Sequence, residues 1–187
     1  ILGLCRRIGL LSCDTLLLRE ASIPSLVLNT GIKSKLLSCL YRAGYMCADW
    51  VIAQSQFMKK DIQDNFSFDP DSICVIHNPV DVESVQRQSV ETISFLHRTK
   101  TILFVGRLAA EKQVVHILQA IALPPLVNVN FHIIGDGEQR EFLESQAVSL
   151  NICDRVIFHG VQSNPFPYMK QADIVVLSSE FEGFPNV

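Results

Sequence analysis

Apolar residues fall along this chain in two alternating rhythms. Short runs rich in Val, Ile and Leu, bounded by Gly, Asp or Pro, read as buried strands. They cover 15–19 (TLLLR), 50–53 (WVIA), 73–76 (ICVI), 101–105 (TILFV), 129–134 (VNFHII), 155–158 (RVIF) and 173–177 (DIVVL). Between several of them, apolar residues return at helical spacing. Over 34–47 the apolar face is Leu36, Leu37, Leu40, Tyr41 and Gly44. Over 111–122 it is Val114, Val115, Leu118 and Ile121, and over 138–150 it is Phe142, Leu143, Ala147 and Leu150. A helix over 56–66 follows Ser55, whose hydroxyl suits an N-cap. Strands alternating with helices of this length predict an α/β fold with parallel sheets. Strands that are continuously apolar predict burial on both faces.

The length of 187 residues admits one large domain or two small ones. Asn78-Pro79 closes the third run, because proline bars the preceding residue from helix and lacks a donor. Residues 82–99 then show weak periodicity. The expected layout is a domain over 1–77, a hinge over 78–99 and a second domain over 100–187. Hydrophobic residues make up 48% and charged residues 19%, a globular composition with ample core material. The net charge of −3 is unevenly spread. Residues 1–60 hold eight Lys/Arg against three Asp/Glu, and the rest hold eight against sixteen. A basic front can face an anionic membrane or a phosphate-bearing acceptor. Ordinary solvated helix faces explain it equally well.

Cys5, Cys13, Cys39, Cys47, Cys74 and Cys153 include no CxxC and no zinc-type pairing with histidine. Most lie in apolar runs, so they are expected to be reduced core residues of a cytoplasmic protein. No run reaches the roughly 18 apolar residues of a membrane span. Arg6, Arg7 and Asp14 interrupt the nearest approach, and no small-residue cleavage site follows it. Asp69-Pro70-Asp71 has the letters of a metal motif but reads as a turn.

Candidate chemistry gathers where strands end. In Val105-Gly106-Arg107-Leu108, then Glu111-Lys112, a strand ends at Val105, a glycine permits a tight turn, an arginine leaves it and a lysine sits on the first turn of the next helix. Open α/β sheets bind ligands beyond the carboxyl ends of their strands, where helix N-termini favour anions. Arg107 as a fork and Lys112 as a point charge suit a diphosphate. Two surface cations at an ordinary helix start are the competing reading. Ile134-Gly135-Asp136-Gly137 offers a tight strand-to-helix turn in which Asp136 can cap, but it is no GxGxxG dinucleotide fingerprint. Phe158-His159-Gly160-Val161 ends another strand, and its glycine lets a planar base approach the backbone. His159 reads as a rim or core histidine, not a catalyst. Ser178 to Val187 (SSEFEGFPNV) carries two carboxylates two apart and then Gly-Phe-Pro. It can aim N–H groups and a carboxylate at a polyhydroxyl ligand, or serve as a polar turn.

Taken in order, VGRL (105–108), EK (111–112), HIIGDGEQREFLE (132–144), RVIFHGV (155–161) and YMKQADIVVLSSEFEGFPNV (168–187) resemble the donor domain of family 4 retaining glycosyltransferases. The likeness runs across most of 101–187. It continues more weakly upstream through LRE (18–20), ADWVIAQS (48–55) and VIHNPVD (75–81), which look like the late part of an acceptor-side domain. The resemblance implies a GT-B fold, here as parts of two Rossmann-like domains with parallel sheets. It implies a nucleotide-diphosphate sugar as substrate, no cofactor and no essential metal. By the same resemblance Gly106 would border the donor site, and Arg107 and Lys112 would hold the diphosphate and stabilise the departing nucleotide. Gly160 and Val161 would border the base. Glu182 is expected near the donor sugar, with Gly183, Phe184 and Pro185 offering backbone contacts. A second family glutamate, which would meet the ribose, is expected beyond Val187. A glycine-rich loop, often with a histidine, is expected ahead of Ile1. The chain is therefore expected to be a fragment that binds nucleoside diphosphate weakly and does not turn over. The parent would be a hexosyltransferase acting on a glycan or lipid-linked acceptor in bacterial cell-surface polysaccharide synthesis. It would be cytoplasmic, peripheral at the inner membrane face, and without a nucleic-acid partner. A GT-B epimerase, a phosphorylase and a non-catalytic nucleotide- or sugar-binding module are the alternatives.

Overall fold

The computed structural model describes residues 2–28, 33–66, 68–91, 93 and 100–187. Of the expected hinge, residues 92 and 94–99 lie outside the described residues. The chain divides into two compact units. One comprises Ile1–Pro79 with Phe181–Asn186, and the other Val80–Glu180 with Val187. Both are α/β with parallel sheets.

In unit 1, β1 (Leu17–Arg19), β2 (Trp50–Ala53) and β3 (Ile73–Val75) pair in chain order. Helices α1 (Leu2–Arg7), α2 (Pro24–Leu28), α3 (Lys33–Tyr45) and α4 (Gln56–Phe66) accompany them. The start of α4 follows its capping chemistry. Ser55 Oγ accepts from Met58 N at 3.2 Å, and the helix buries Met58, Asp61, Ile62 and Phe66 on one face. Asp61 is the one charged member of that face. Its carboxylate accepts from the Ser25 hydroxyl, from Ser25 N at 3.1 Å and from Asn65 Nδ2 at 2.9 Å, so the buried charge is fully engaged. Asp69, Pro70 and Asp71 form a turn in which Asp69 Oδ1 accepts from Asp71 N at 3.1 Å.

Of the apolar face expected on α3, Gly44 is buried and Tyr41 packs against the core, but the three leucines do not. Leu36, Leu37 and Leu40 are exposed, and Tyr45 is the residue driven into the core. Tyr45 packs edge-on against Phe66 at 5.3 Å and donates its hydroxyl to Glu20 at 2.7 Å. Burial pushes the Glu20 carboxyl up, and the Tyr45 hydrogen bond pulls it back down. Leu37, Leu40 and Tyr41 instead line an apolar groove of about 430 Å³ with Leu2, Leu4 and Leu18. The short α1 crosses α3 where Gly3 meets Gly44, a contact with no room for a Cβ. Several of the front-end cations are used inside the unit. Arg6 pairs with Asp49 at 2.5 Å, Arg42 donates to Asn65 O at 3.0 Å and Lys59 to Ile73 O at 2.8 Å.

In unit 2 the sheet order is β6-β5-β4-β7, with β4 (Lys100–Val105), β5 (Val129–Ile134), β6 (Val156–Gly160) and β7 (Ile174–Val175). The central strands β4 and β5 pair over six residues, from Lys100↔Val129 to Val105↔Ile134. Burial on both faces holds for these two, while edge strand β7 is exposed. Helices are α5 (Val82–Gln88), α6 (Val114–Ile121), α7 (Arg140–Ser149) and α8 (Phe166–Gln171). Residues 82–88, within the stretch of weak periodicity, are helical because Asp81 caps them, accepting from Ser84 N at 2.9 Å. Helix α6 buries Val114, Ile117, Leu118 and Ile121 against Phe104, Phe131 and Ile133. On α7 only Leu143 and Ala147 are buried, and Phe142 faces outward.

None of the six cysteines is a core residue. Cys39, Cys74 and Cys153 are exposed and the other three half-buried, all as free thiols. Cys74 sits at the outward position of β3, between Ile73, which is buried, and Val75. Among the described residues no helix is long and apolar enough to cross a membrane.

Leu118→Ala, which opens a cavity in a closed core, should cost about 3 kcal/mol in urea denaturation. Leu36→Ala should change stability by less than about 0.5 kcal/mol, since this side chain lies on the exposed face of α3. A large loss for Leu36→Ala would show that α3 buries the opposite face.

Candidate functional site

All four strands of unit 2 run in parallel, so their carboxyl ends share one edge. The loops leaving that edge are joined through the backbone. Gly106 N donates to Ile134 O at 2.9 Å and Leu108 N to Asp136 O at 2.9 Å. Gln139 N donates to Leu108 O at 2.9 Å and Gly135 N to Gly160 O at 2.8 Å. This approach is possible only without side chains at two positions. A Cβ on Gly135 (φ +132) would lie 1.9 Å from Gly106 O, and one on Gly137 would lie 2.5 Å from Leu108 O. Gly106 is different. Its backbone is ordinary, and a Cβ there would press on the Phe104 ring at 3.2 Å.

The cations follow directly. Arg107 is exposed and pairs with Glu111 Oε1 at 2.5 Å. The Glu111 carboxyl is held below its usual range by its own backbone N–H, with Arg107 adding to the effect. Lys112 does not lie on the first turn of an α-helix. Ala110–Lys112 form a separate 3-10 turn, Gln113 takes a left-handed conformation (φ 51), and α6 begins at Val114. The turn is pinned from β7's side: Ser178 Oγ donates to Lys112 O at 2.6 Å and Glu180 N to Glu111 O at 2.9 Å. The backbone carrying both cations is thereby tied to two strand ends.

Across the edge, Gly160 turns the chain in a left-handed conformation (φ +66), and Val161 beyond it is 75% exposed. Arg140 reaches this corner from α7, with Nη1 at 3.7 Å from the position of a Gly160 Cβ. It is held by Asp136 at 3.1 Å and Glu144 at 2.9 Å, with its guanidinium over the Phe158 ring at 5.9 Å. Asp136 accepts from Gly137 N at 2.8 Å and from Arg140, but it does not occupy the N-cap of α7, which is Gln139. Sequence reading passed over Arg140, although its i±4 spacing to Asp136 and Glu144 announces an ion-pair hub. It also passed over His132, which from β5 meets His159 through Nδ1···Nε2 at 2.8 Å. Burial and the neighbouring His159 pull the His132 imidazole down to about 4, and burial lowers His159 as well.

Of the anticipated donor-site residues, Gly106, Arg107, Lys112, Gly160 and Val161 thus share one sheet edge in unit 2. Glu182, Gly183, Phe184 and Pro185 belong to the segment grouped with unit 1. There a Cβ on Gly183 would meet Met58 Cε at 2.6 Å and Ala21 O at 3.1 Å. Phe184 stacks on His77 at 4.9 Å, and Asn186 accepts from Asn78. His77 Nδ1 in turn sits 2.7 Å from Gln54 O. Among the described residues no group of three or more His, Cys, Asp or Glu is placed to hold a metal ion.

Residues 86–187 match the family model of glycosyl transferases group 1, and residues 26–84 match that of glycosyltransferase family 4. The chain is 29% identical over 177 residues to the N-acetylgalactosamine-N,N'-diacetylbacillosaminyl-diphospho-undecaprenol 4-alpha-N-acetylgalactosaminyltransferase of Campylobacter jejuni. That alignment covers 92% of this chain and 47% of the relative. The apo structure of the lipopolysaccharide outer core galactosyltransferase WaaB is similar at a TM-score of 0.61 and 28% identity, over 84% of this chain and 42% of that one. Anabaena HepE, solved with UDP, shares the fold at a TM-score of 0.71 and 19% identity, over 95% of this chain and 49% of that one. The solved neighbours are GT-B glycosyltransferases. The chain spans about half the length, or less, of these relatives.

Two outcomes follow from the site's geometry. Gly135→Ala should cost at least about 2 kcal/mol in urea denaturation, because strained backbone and a clash with Gly106 O combine. A neutral effect would mean that the two loops are not interlocked. The second concerns pH. Unfolded His132 titrates near 6.5 and folded His132 near 4. Between those values the unfolded chain takes up a proton that the native one refuses. Stability should therefore be level above pH 6.5 and fall below it, by at most about 3 kcal/mol from this group. Urea midpoints from pH 8 to pH 4 should slope less in His132→Leu than in wild type.

Proposed function

The chain belongs to the glycosyl transferases group 1 family, and on that premise we propose that its parent protein moves a sugar from a nucleotide-diphosphate donor to a glycan or lipid-linked acceptor with retention. The observation that carries this reading is the turn at 106–112. It presents an exposed arginine and a lysine at the carboxyl edge of a parallel sheet, a few loops away from the Gly160-Val161 corner. In this reading the cations take the diphosphate and the corner takes the base.

Energetics favours Arg107 as the diphosphate ligand. Its present partner, Glu111, forms an exposed i,i+4 pair, worth about 0–1 kcal/mol. A charged hydrogen bond to a diphosphate is worth more, about 1.5–3 kcal/mol. Glu111 thus holds the guanidinium over the site at little cost and yields it to a stronger anion. With Lys112, Arg107 would stabilise the charge that develops on the departing nucleotide. The lining of Gly106, Gly160 and Val161 would seat the nucleotide. By resemblance, Glu182 is assigned to the donor sugar, and Gly183, Phe184 and Pro185 to backbone contacts with it. The reaction needs no cofactor or essential metal in this reading.

The parent would act in bacterial cell-surface polysaccharide synthesis, on the cytoplasmic side of the membrane. Exposed Arg7, Lys35 and Lys60 would supply its contact with anionic lipid.

Arg107→Ala and Lys112→Ala should each weaken UDP binding by about 1–3 kcal/mol in calorimetric titration. Equal affinity in wild type and both variants would return these residues to ordinary surface charge. In the full-length parent, nucleotide sugar should be consumed only when acceptor is present. Epimerised nucleotide sugar formed without acceptor would overturn the transferase reading.

A further inference from the structure

The strongest feature outside the diphosphate side of the edge is a cluster of three rings behind Gly160. His132 of β5 and His159 of β6 lie nearly parallel, with ring centroids 5.1 Å apart and planes 19° apart. Tyr168 of α8 rests edge-on against His159, at 5.2 Å and 62°. His132 is buried at 3% exposure and His159 is half-buried, so the hydrogen bond of 2.8 Å between the two imidazoles is partly shielded from water. This cluster stands where β6 departs from regular pairing. Ile133 pairs with Phe158, but Ile134 pairs with Gly160, so β6 holds one extra residue at this step. That residue is His159. Immediately after the bulge, Gly160 takes its left-handed turn and gives its carbonyl to Gly135 N, while His159 O accepts from Gln162 Nε2 at 2.8 Å.

A bulge re-aims the chain that follows it, and it persists only if something holds the extra residue in place. Two apolar rings set edge to edge would fill the same volume but could slide. A hydrogen bond between imidazoles fixes distance and ring direction together, because one nitrogen must donate and the other accept. The chain keeps two polar rings where burial disfavours them, and the gain is in geometry.

We propose that the His132–His159 pair positions the nucleotide: it locks the β6 bulge and so sets how the Gly160-Val161 backbone meets the nucleobase. The diphosphate grip stays with Arg107 and Lys112. The pair acts through the backbone and is not catalytic. This inference rests on the donor-site reading above and adds a residue pair that governs the base end of that site.

The test separates base from diphosphate. Wild-type chain, His132→Leu and His159→Phe are titrated with UDP, GDP and inorganic pyrophosphate by calorimetry. His159→Phe keeps a ring against Tyr168 and removes the shared hydrogen bond, so it serves if His132→Leu folds poorly. Both variants should weaken the better-bound nucleotide at least five-fold and leave pyrophosphate within two-fold of wild type. The double variant should lose no more than the worse single one, since both remove the same bond. Unchanged nucleotide affinity in the variants would overturn the positioning role and leave the donor site standing. An equal loss of nucleotide and pyrophosphate would also overturn it, by showing general damage to the edge. Failure of the wild-type chain to bind either nucleotide would remove the donor-site reading, and this inference with it.

Discussion

Everything assigned to unit 2's site hangs on a backbone interlock between the loops after β4 and β5. Six residues of parallel pairing bring Val105 level with Ile134, and the hydrogen bonding does not stop there. It continues past the strand ends through Gly106, Leu108 and Gln139, and passes to the third strand end through Gly135 and Gly160. Backbone groups make these bonds, so no long side chain is ordered to form them, and the conformational cost is low. The arrangement tolerates no Cβ at position 135, where one would lie inside the carbonyl of Gly106. The turn bearing Arg107 and the corner at Gly160 are consequently fixed relative to each other.

Charge is used in two ways in this molecule. Arg107 with Glu111 and Arg140 with Asp136 and Glu144 are local pairs at helical spacing, partly or wholly open to water. Such pairs hold a guanidinium in place loosely and exchange readily. Asp61 belongs to a different kind. It is buried on α4, satisfied by Ser25 and Asn65, and part of what joins α2 to the rest of unit 1. Removing a partner there would strand a buried charge, which is far more costly. The front-end cations, suggestive in sequence as a patch, are divided between such internal bonds and the surface.

The helices show where periodicity can and cannot be trusted. On α6 the apolar stripe and the buried face nearly coincide, with Ile117 buried in the place expected of Val115, because that helix covers the middle of a four-stranded sheet. On α3 they do not: three leucines at good spacing are exposed while Tyr45 is buried, anchored by Phe66 and Glu20. An amphipathic pattern reports that a helix has an apolar side, but not what lies against it. The short α5 and α8 escaped notice for another reason. They hold seven and six residues, too few for a period to register; α5 starts from a cap at Asp81, and α8 from Pro165, with Phe166 N donating to Asn164 Oδ1 at 3.2 Å.

The sequence by itself determined the α/β class, the parallel strands, the family and the order of the site's parts. These depend on local composition: continuous Val- and Ile-rich runs, glycines at strand ends, and cations one turn later. Only the tertiary structure decided which glycine is indispensable, since Gly106 and Gly135 look alike until their backbones meet. It also decided that Lys112 precedes its helix, because the left-handed Gln113 interrupts what reads as one continuous pattern. And it alone joined His132 to His159 across two strands, as their spacing in the chain says nothing of a β-bulge that brings two imidazoles into one hydrogen bond. Contacts between residues distant in sequence are set by register and by the loops that close it, and neither is written in the local pattern.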